Sequence, residues 1–403
     1  MGIESISVKD SRQTHLCSIC HFPLKKNGTT AKGTQRWRCT SCGASSPLTR
    51  SDTTARNQLT AFVGWILSKQ TQAEYATSSA RTFRRHTAWC WNVHPTLPHT
   101  GEVFDEIQVD GIYLRQGWCL LIAIANGKVI GWQWCDQEKS VAWLELLRRF
   151  AEPKVVVTDG GSGLLKALKE LWPQVKIQRC LVHIQRNVRT QLSLKPKTTA
   201  GKALRALSLR LTRIKTRDEA TAWIALFAAW HAEFQHYLNE KTYAKDFTGT
   251  RPKGIRSTRA WWYTHDRLRK AYSSMNTTLK RGHLFTYLRE DLHALGINAT
   301  TNMIGGAINS EIRTMIFHHR GMPTEHRRRA VEWFCWEHTA KDSRTSLGAL
   351  IRPEHYTPRA RKQAAEDLVE EQIGPELYGT GTNAEEGLYA RIGWGGRSAS
   401  THY

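Results

Sequence analysis

The chain contains no run of about 18 or more apolar residues, so no segment has the length and hydropathy of a membrane-spanning helix. Its first residues, Met1 to Gln13, are polar and carry no apolar stretch of the kind a secretory signal needs. The expected location is therefore the cytoplasm, in association with the nucleoid. Acidic residues are scarce: 35 Asp and Glu stand against 58 Lys and Arg, for a net charge of +23. Such an excess disfavours self-association and favours a polyanionic partner, above all nucleic acid. No basic block is long enough to be a disordered arm. The clusters Arg81–Arg85, Arg148–Arg149, Arg186–Arg189, Arg267–Lys270 and Arg327–Arg329 fall inside segments that read as folded, as a groove following phosphates requires. No internal repeat is visible.

The 403 residues, 40% hydrophobic, are enough for about two to four domains. Nine cysteines in a cytoplasmic chain do not form a disulfide framework. Four of them make a pattern, Cys17-x-x-Cys20 and Cys39-x-x-Cys42, with the spacing of a zinc ribbon. Each pair puts two thiolates on one tight knuckle, and two knuckles complete a closed, structural S4 site for one Zn2+. The alternative is four reduced cysteines without metal. Cys90, Cys119, Cys135 and Cys335 read as small buried hydrophobes. Sixteen tryptophans are mostly core material, although Trp261-Trp262-Tyr263, between Arg259 and Arg267, could also stack on bases.

Residues 1–14 read as disordered, 15–50 as the zinc ribbon and 51–95 as a helical DNA-binding region. In that region Leu59, Phe62, Val63, Ile66 and Leu67 recur at helical spacing. Two further helical stretches, from Gln72 and from Thr82, resemble a helix-turn-helix whose second helix carries Arg81, Arg84, Arg85 and His86 towards the major groove. A plain helical linker is the alternative. After the Pro95–Gly101 linker, residues 101–194 give strands at Glu106–Leu114, Trp118–Ala125, Val129–Cys135, Val155–Asp159 and Val175–Cys180. The Asn126-Gly127 hairpin turn joins the second and third. Helices are expected at Ser140–Phe150, Ser162–Leu171 and Val182–Leu192. The order β-β-β-α-β-α-β-α is that of a ribonuclease-H-like α/β domain. Residues 195–300 read as an all-α insertion, 301–340 return to the domain with a final helix at about 302–317, and 341–403 form a polar tail.

Within this frame Asp110 sits in the middle of the first strand and Asp159 ends the fourth. An aspartate in an apolar strand is costly unless it is paired or holds a metal. The first and fourth strands are neighbours in this strand order, so the two carboxylates converge. Such a pair suits Mg2+ (or Mn2+). Two ions about 4 Å apart can activate a water or 3′-hydroxyl and stabilise the leaving oxygen of a phosphoryl transfer. Taken singly, each aspartate could instead be a strand-end or turn residue.

Four motifs carry a family resemblance: Val109-Asp110-Gly111; Val157-Thr158-Asp159-Gly160-Gly161-Ser162-Gly163-Leu164; Gln178-Arg179-Cys180-Leu181-Val182-His183-Ile184-Gln185-Arg186-Asn187; and Thr301-Asn302 with Asn309, Ile312-Arg313 and His319-Arg320-Gly321. Together they resemble Mutator-type bacterial insertion-sequence transposases, in the branch with an N-terminal zinc ribbon, from about residue 15 to 340. The resemblance implies a metal-dependent DDE transposase that binds terminal inverted repeats and target DNA as a homodimer or larger assembly, and that cleaves and joins strands. It implies that Cys180 and His183 help to position DNA or the active site, with zinc binding or a capping role as alternatives. Arg179, His183, Arg186, Asn187, Arg189 and Arg320 become candidate DNA contacts. The resemblance also exposes a departure: the last acidic residue of the family falls at Gly305. Glu311 is the nearest carboxylate in sequence, about 9 Å along a helix and about 120° around it from residue 305. Either this chain is catalytically impaired, or it was inactivated by mutation, or another acid substitutes. The competing readings are a DNA-binding-only descendant of a transposase, and a nuclease or RNA-processing enzyme on the same fold.

Overall fold

The computed structural model describes residues 15–352 and residue 355, apart from 18–19, 21, 32, 48–50, 99–100, 115–117 and 253. The expected disordered start, 1–14, and most of the expected tail, from 356 on, lie outside the described residues. A small antiparallel sheet comes first: β1 (Leu24–Thr29), β2 (Gln35–Cys39) and β3 (Ser45–Pro47), in that spatial order. Three helices follow: α1 (Ser51–Leu67), α2 (Gln72–Tyr75) and α3 (Ala80–Thr87). Thr71 and Glu74 form a reciprocal capping box that starts α2, yet this helix is a single turn with no buried residue. The expected helix-turn-helix thus reduces to one long helix, one turn and an eight-residue helix.

The centre of the molecule is a five-stranded mixed sheet. Its strands are β4 (Glu106–Tyr113), β5 (Cys119–Ala125), β6 (Lys128–Cys135), β7 (Val155–Thr158) and β8 (Lys176–Arg179), in the order β6-β5-β4-β7-β8. β4, β5 and β6 pair antiparallel, whereas β4–β7 and β7–β8 pair parallel. The parallel pairs need crossovers, and α4 (Ser140–Leu147) and α5 (Ser162–Leu171) supply them. These two helices cover one sheet face, burying Ile107, Val109, Leu121, Trp143, Leu147 and Leu168 together. α4 stops at Leu147, short of the expected Phe150. Arg149 turns back onto the Trp132 carbonyl, and Phe150 fills the space left open at Gly131.

The opposite face is covered by two groups of helices. α1, α10 (Asn309–His318) and α11 (Thr324–Glu337) share an apolar core with Ile112, Leu120 and Ile122 of the sheet. Trp333, fully buried there, is a side chain whose burial contributes about 3 kcal/mol. The helical region 51–95 is therefore docked on the sheet rather than packed on itself alone. The second group is α6 (Leu181–Leu192), α7 (Thr199–Arg210), α8 (Arg217–Asn239) and α9 (Asp266–Lys280), packed with Val155 and Val157 of β7. In α8, Trp223, Phe227, Trp230, Phe234 and Leu238 make a buried stripe at helical spacing. The indoles of Trp223 and Trp230 donate to the Leu207 and Ala200 carbonyls, at 2.9 and 3.0 Å.

One expectation needs correction: the insertion is not all-α. β9 (Lys241–Tyr243) and β10 (Trp261–Tyr263) pair antiparallel within it. The Trp261-Trp262-Tyr263 cluster is β10 itself. Alternation buries Trp262 at 5% exposure and leaves Trp261 and Tyr263 on the other side, where Lys241 and Arg269 lie over their rings. No helix among the described residues is long and apolar enough to cross a membrane.

Candidate active site

The N-terminal cysteines assemble as expected. All four Sγ atoms lie within 4.8 Å of one another. Cys17 approaches Cys42 to 3.6 Å, and Cys20 approaches Cys39 to 3.4 Å. A tetrahedral zinc with Zn–S bonds of about 2.3 Å requires sulfur separations of about 3.8 Å, so the donor set fits the ion. The backbone N–H groups of Ser41 and Cys42 point at Cys39 Sγ, at 3.4 and 3.5 Å. Led by the Cys42 N–H, they hold its thiol down to about 6, which favours the thiolate a metal needs. The arrangement is compatible with a zinc ribbon.

The second cluster lies at the middle of β4 and just past the end of β7. Val109 is the register partner of Thr158, the last residue of β7, so Asp110 and Asp159 each directly follow one member of that pair, on neighbouring parallel chains spaced about 4.8 Å apart. Asp110 is 8% exposed. Burial pushes its carboxyl up to about 6; the neighbouring Asp159 adds to this, and His183 and Arg186 oppose it. Asp159 Oδ1 accepts from the Gly161 N–H at 2.9 Å. Gly160, between them, has φ +76°, and a Cβ there would stand 1.8 Å from Arg179 Nη1, which donates to the Gly160 carbonyl. Only glycine serves in that turn, on both counts.

The strand-to-helix junction at Cys180 abuts the pair. Cys180 Sγ accepts from the Thr301 N–H at 3.2 Å. Burial alone would push its thiol up, but hydrogen bonds with His183 and Thr301 bring it below its ordinary value. The bond to Cys180 raises His183 against its burial, and the charges of Cys180, Asp110 and Asp159 add to that. Cys180 is thus as buried as the other scattered cysteines but, unlike them, tied into the polar cluster. Arg186, Asn187 and Arg189 are exposed along α6, as are Arg81, Arg84 and Arg85 on α3 and Arg320 after α10. A groove of about 520 Å³ beside the end of β4 is lined by Tyr113, Phe317, Arg313, Arg320 and Arg327, among others.

The third position is the informative one. The expected final helix begins as a π-helical segment, Met303–Ile308, before α10. Ile304 and Gly305 both donate to the Thr301 carbonyl, and Asn309 donates to Ile304 O, so the coil is one residue wider than an α-turn. A Cβ at Gly305 would stand 3.9 Å from Asp110 Oδ2. Residue 305 therefore faces the carboxylate pair. Glu311 does not: its side chain is 58% exposed and pairs with His338 at 3.3 Å. Among the described residues no third ligand group joins Asp110 and Asp159 within 4.8 Å.

Sequence reasoning named Asn309 only as part of a motif, with no role, and missed Glu138 altogether. Asn309, 4% exposed, donates from Nδ2 to Asp110 Oδ2 at 3.2 Å. Glu138, in the turn between β6 and α4, holds its carboxyl group against Gly111 and Gly161, beside Asp110 and Asp159. Nothing in the spacing of Glu138 marks it. Three glycines at 111, 161 and 163, all within the aspartate motifs, were the available signal that something packs closely there.

Residues 116–247 match a family described as transposase, Mutator family. The match includes Asp159 and the Cys180–His183 element, but neither Asp110 nor the 301–321 motif. Among curated relatives, a transposase for insertion sequence element IS905 of Lactococcus lactis subsp. lactis (strain IL1403) is 32% identical over 100 residues, 21% of this chain and 26% of that protein. The transposase for IS6120 of Mycolicibacterium smegmatis is 32% identical over 136 residues, 30% of this chain and 41% of that protein. The transposase for IST2 of Acidithiobacillus ferrooxidans is 35% identical over 100 residues, 22% and 33% of the respective lengths. The chain therefore spans less than half the length of each of these relatives.

Proposed function

From a chain that carries a Mutator-type insertion-sequence transposase segment, we propose a metal-dependent DNA transposase of the DDE type on a ribonuclease-H-like domain. It binds terminal inverted repeats and carries out strand cleavage and transfer on double-stranded DNA. The observation that carries this reading is the alignment of Asp110 and Asp159 on neighbouring strands, with residue 305 facing Asp110 from the helix opposite. Three chain positions converge as a DDE site requires, and two of them keep their acid. Asp110 and Asp159 would hold Mg2+ or Mn2+. When bound, such ions lower the pKa of the attacking hydroxyl and neutralise the leaving oxygen. Arg179 and the Gly161 N–H fix the Asp159 turn, while His183 and Arg186 balance the charge of Asp110. The Cys17, Cys20, Cys39 and Cys42 zinc site would stiffen a ribbon that, with Arg81, Arg84 and Arg85 of α3, meets the DNA ends. Arg189, Asn187 and Arg320 would follow phosphates nearer the sheet. Holding two ends together calls for a dimer or larger assembly. The nucleoid, where the substrate lies, is the matching location.

Gly305 favours one second reading, a protein that still binds DNA but no longer cuts it. Strand cleavage on DNA carrying the element's ends, in Mg2+, separates the two. If Gly305→Glu cleaves and the unaltered chain does not, the DDE assignment stands and this chain is the binding form. If neither cleaves while both bind, the catalytic reading fails.

A further inference from the structure

The site that has lost its acid at 305 has another carboxylate on its far side. We propose that Glu138 is a metal ligand of the Asp110–Asp159 site, supplying the third carboxylate from the β6–α4 turn. This deepens the transposase reading and rests on the aspartate pair being a metal site.

A Cβ at Gly111, directly after Asp110, would stand 2.6 Å from the Glu138 carboxyl carbon and from its Oε1. A Cβ at Gly163 would stand 2.1 Å from the Glu138 carbonyl oxygen. A Cβ at Gly161 would lie 3.6 Å from Asp159 Oδ1 and 3.9 Å from Glu138 Oε2. Side chains at 111 or 163 would expel Glu138, so these two glycines keep a berth for it. Its turn is anchored as well: Asp136, two residues earlier, is 1% exposed, and Lys139 reaches it at 3.5 Å.

The spacing is compatible with two ions. Ions about 4 Å apart, each about 2 Å from its oxygens, place their outermost ligands about 8 Å apart. Asp159 Oδ1 and Glu138 Oε2 are separated by no more than the two Gly161 distances placed end to end, which is within that span. An independent sign of a missing occupant comes from Asn309. That side chain is 4% exposed and bonded to Asp110 through Nδ2, yet its Oδ1 has no hydrogen-bond partner among the described residues. A buried carbonyl oxygen left bare beside a carboxylate is suited to a cation or its bound water. Glu138 and Asn309 then flank the aspartates from either side of the sheet, and no acid is needed at 305 for a charge of −3.

The test is Mn2+ binding to the full-length, zinc-loaded protein, followed by electron paramagnetic resonance as free Mn2+ disappears. Glu138→Gln should weaken binding about tenfold or more, as should Asp110→Asn. Adding Gly305→Glu to Glu138→Gln should restore much of it. If Asp110→Asn weakens binding and Glu138→Gln leaves it unchanged, Glu138 is no ligand and the aspartate pair survives alone. If neither substitution changes Mn2+ binding, the metal site itself is wrong and the proposal falls with it. Should Glu138→Gln fail to fold, Glu138→Asp keeps the charge and withdraws it by one methylene; unchanged affinity there also overturns the assignment.

Discussion

Replacing Asp110 by Asn should stabilise the protein in buffer without added divalent cations, and the gain should depend on pH in a defined way. Asp110 is buried in the middle of β4, and its carboxyl is pushed up to about 6 from an ordinary 3.8, chiefly by burial. Below pH 3.8 the group is protonated folded or unfolded, and no cost arises. Between 3.8 and about 6 the folded state holds a proton that the unfolded chain has released, so stability falls as the pH rises. Above about 6 both states are ionised, and the fold bears the whole cost of a buried carboxylate, on the order of 3 kcal/mol. Asparagine keeps the size and can still accept from Asn309 Nδ2. At pH 8 Asp110→Asn should therefore be more stable by up to about 3 kcal/mol, with the gap closing as the pH approaches 4. Urea unfolding followed by tryptophan fluorescence at pH 8 and pH 5 measures it. Mg2+ then supplies the opposite sign: at 100 times its dissociation constant it should stabilise the unaltered chain by about 2.7 kcal/mol, and Asp110→Asn, with binding weakened tenfold or more, by no more than about 1.4 kcal/mol. Equal stabilities at pH 8, or a gap that does not change with pH, would refute the idea that Asp110 is a carboxylate held against its preference for a cation.

Two further outcomes follow from the rest of the chain. Cys39→Ser removes the sulfur onto which two backbone N–H groups converge; zinc content by atomic absorption should fall from one per chain to near zero, whereas a value still close to one would mean that the four cysteines are not the site. Changing Arg81, Arg84 and Arg85 together to Gln should flatten the salt dependence of DNA binding by a slope of about 2–3, since each phosphate contact contributes about 0.9; an unchanged slope would place the DNA elsewhere than on α3.

The parts of the fold legible in the sequence were those with a period. β4 alternates, β5 is apolar throughout, and Asn126-Gly127 can only turn a hairpin, so the first three strands and the place of Asp110 followed directly. The four cysteines were legible because metal geometry dictates their spacing. Elements too short to show a period were not. β9 and β10 have three residues each, and α2 has four. The β9–β10 pair is fixed by Trp262 turning inward in tertiary context, not by local preference. The π-helical segment escaped for a different reason. Its sequence, with Gly305-Gly306, reads as a poor helix, while in the wider coil the Asn302 side chain lies over Gly306. Glu138 belongs to a third category. Its relation to Asp159 is created by a crossover between β6 and β7, and no window of the sequence contains both.

The same geometry bears on what the residue at 305 does beside Asp110. A carboxylate at 305 would add negative charge beside Asp110 Oδ2, on a group that burial and Asp159 already push towards protonation. Without metal, glycine there relieves repulsion; with metal, it removes a ligand. Helix propensity pulls the other way, since glycine costs about 1 kcal/mol in a helix interior, so Gly305 gains nothing from local structure except tolerance of the wide coil. Asn309 is buried with an oxygen that has no hydrogen-bond partner among the described residues, Gly160 sits in a left-handed turn under Arg179, and Gly111 and Gly163 leave room for Glu138. Each of these carries a cost in stability or in chain entropy, and none helps to hold a site that only binds DNA. A cation beside Asp110 and Asp159 would account for them together, which makes metal binding, rather than cleavage alone, the property on which the two readings of this chain divide.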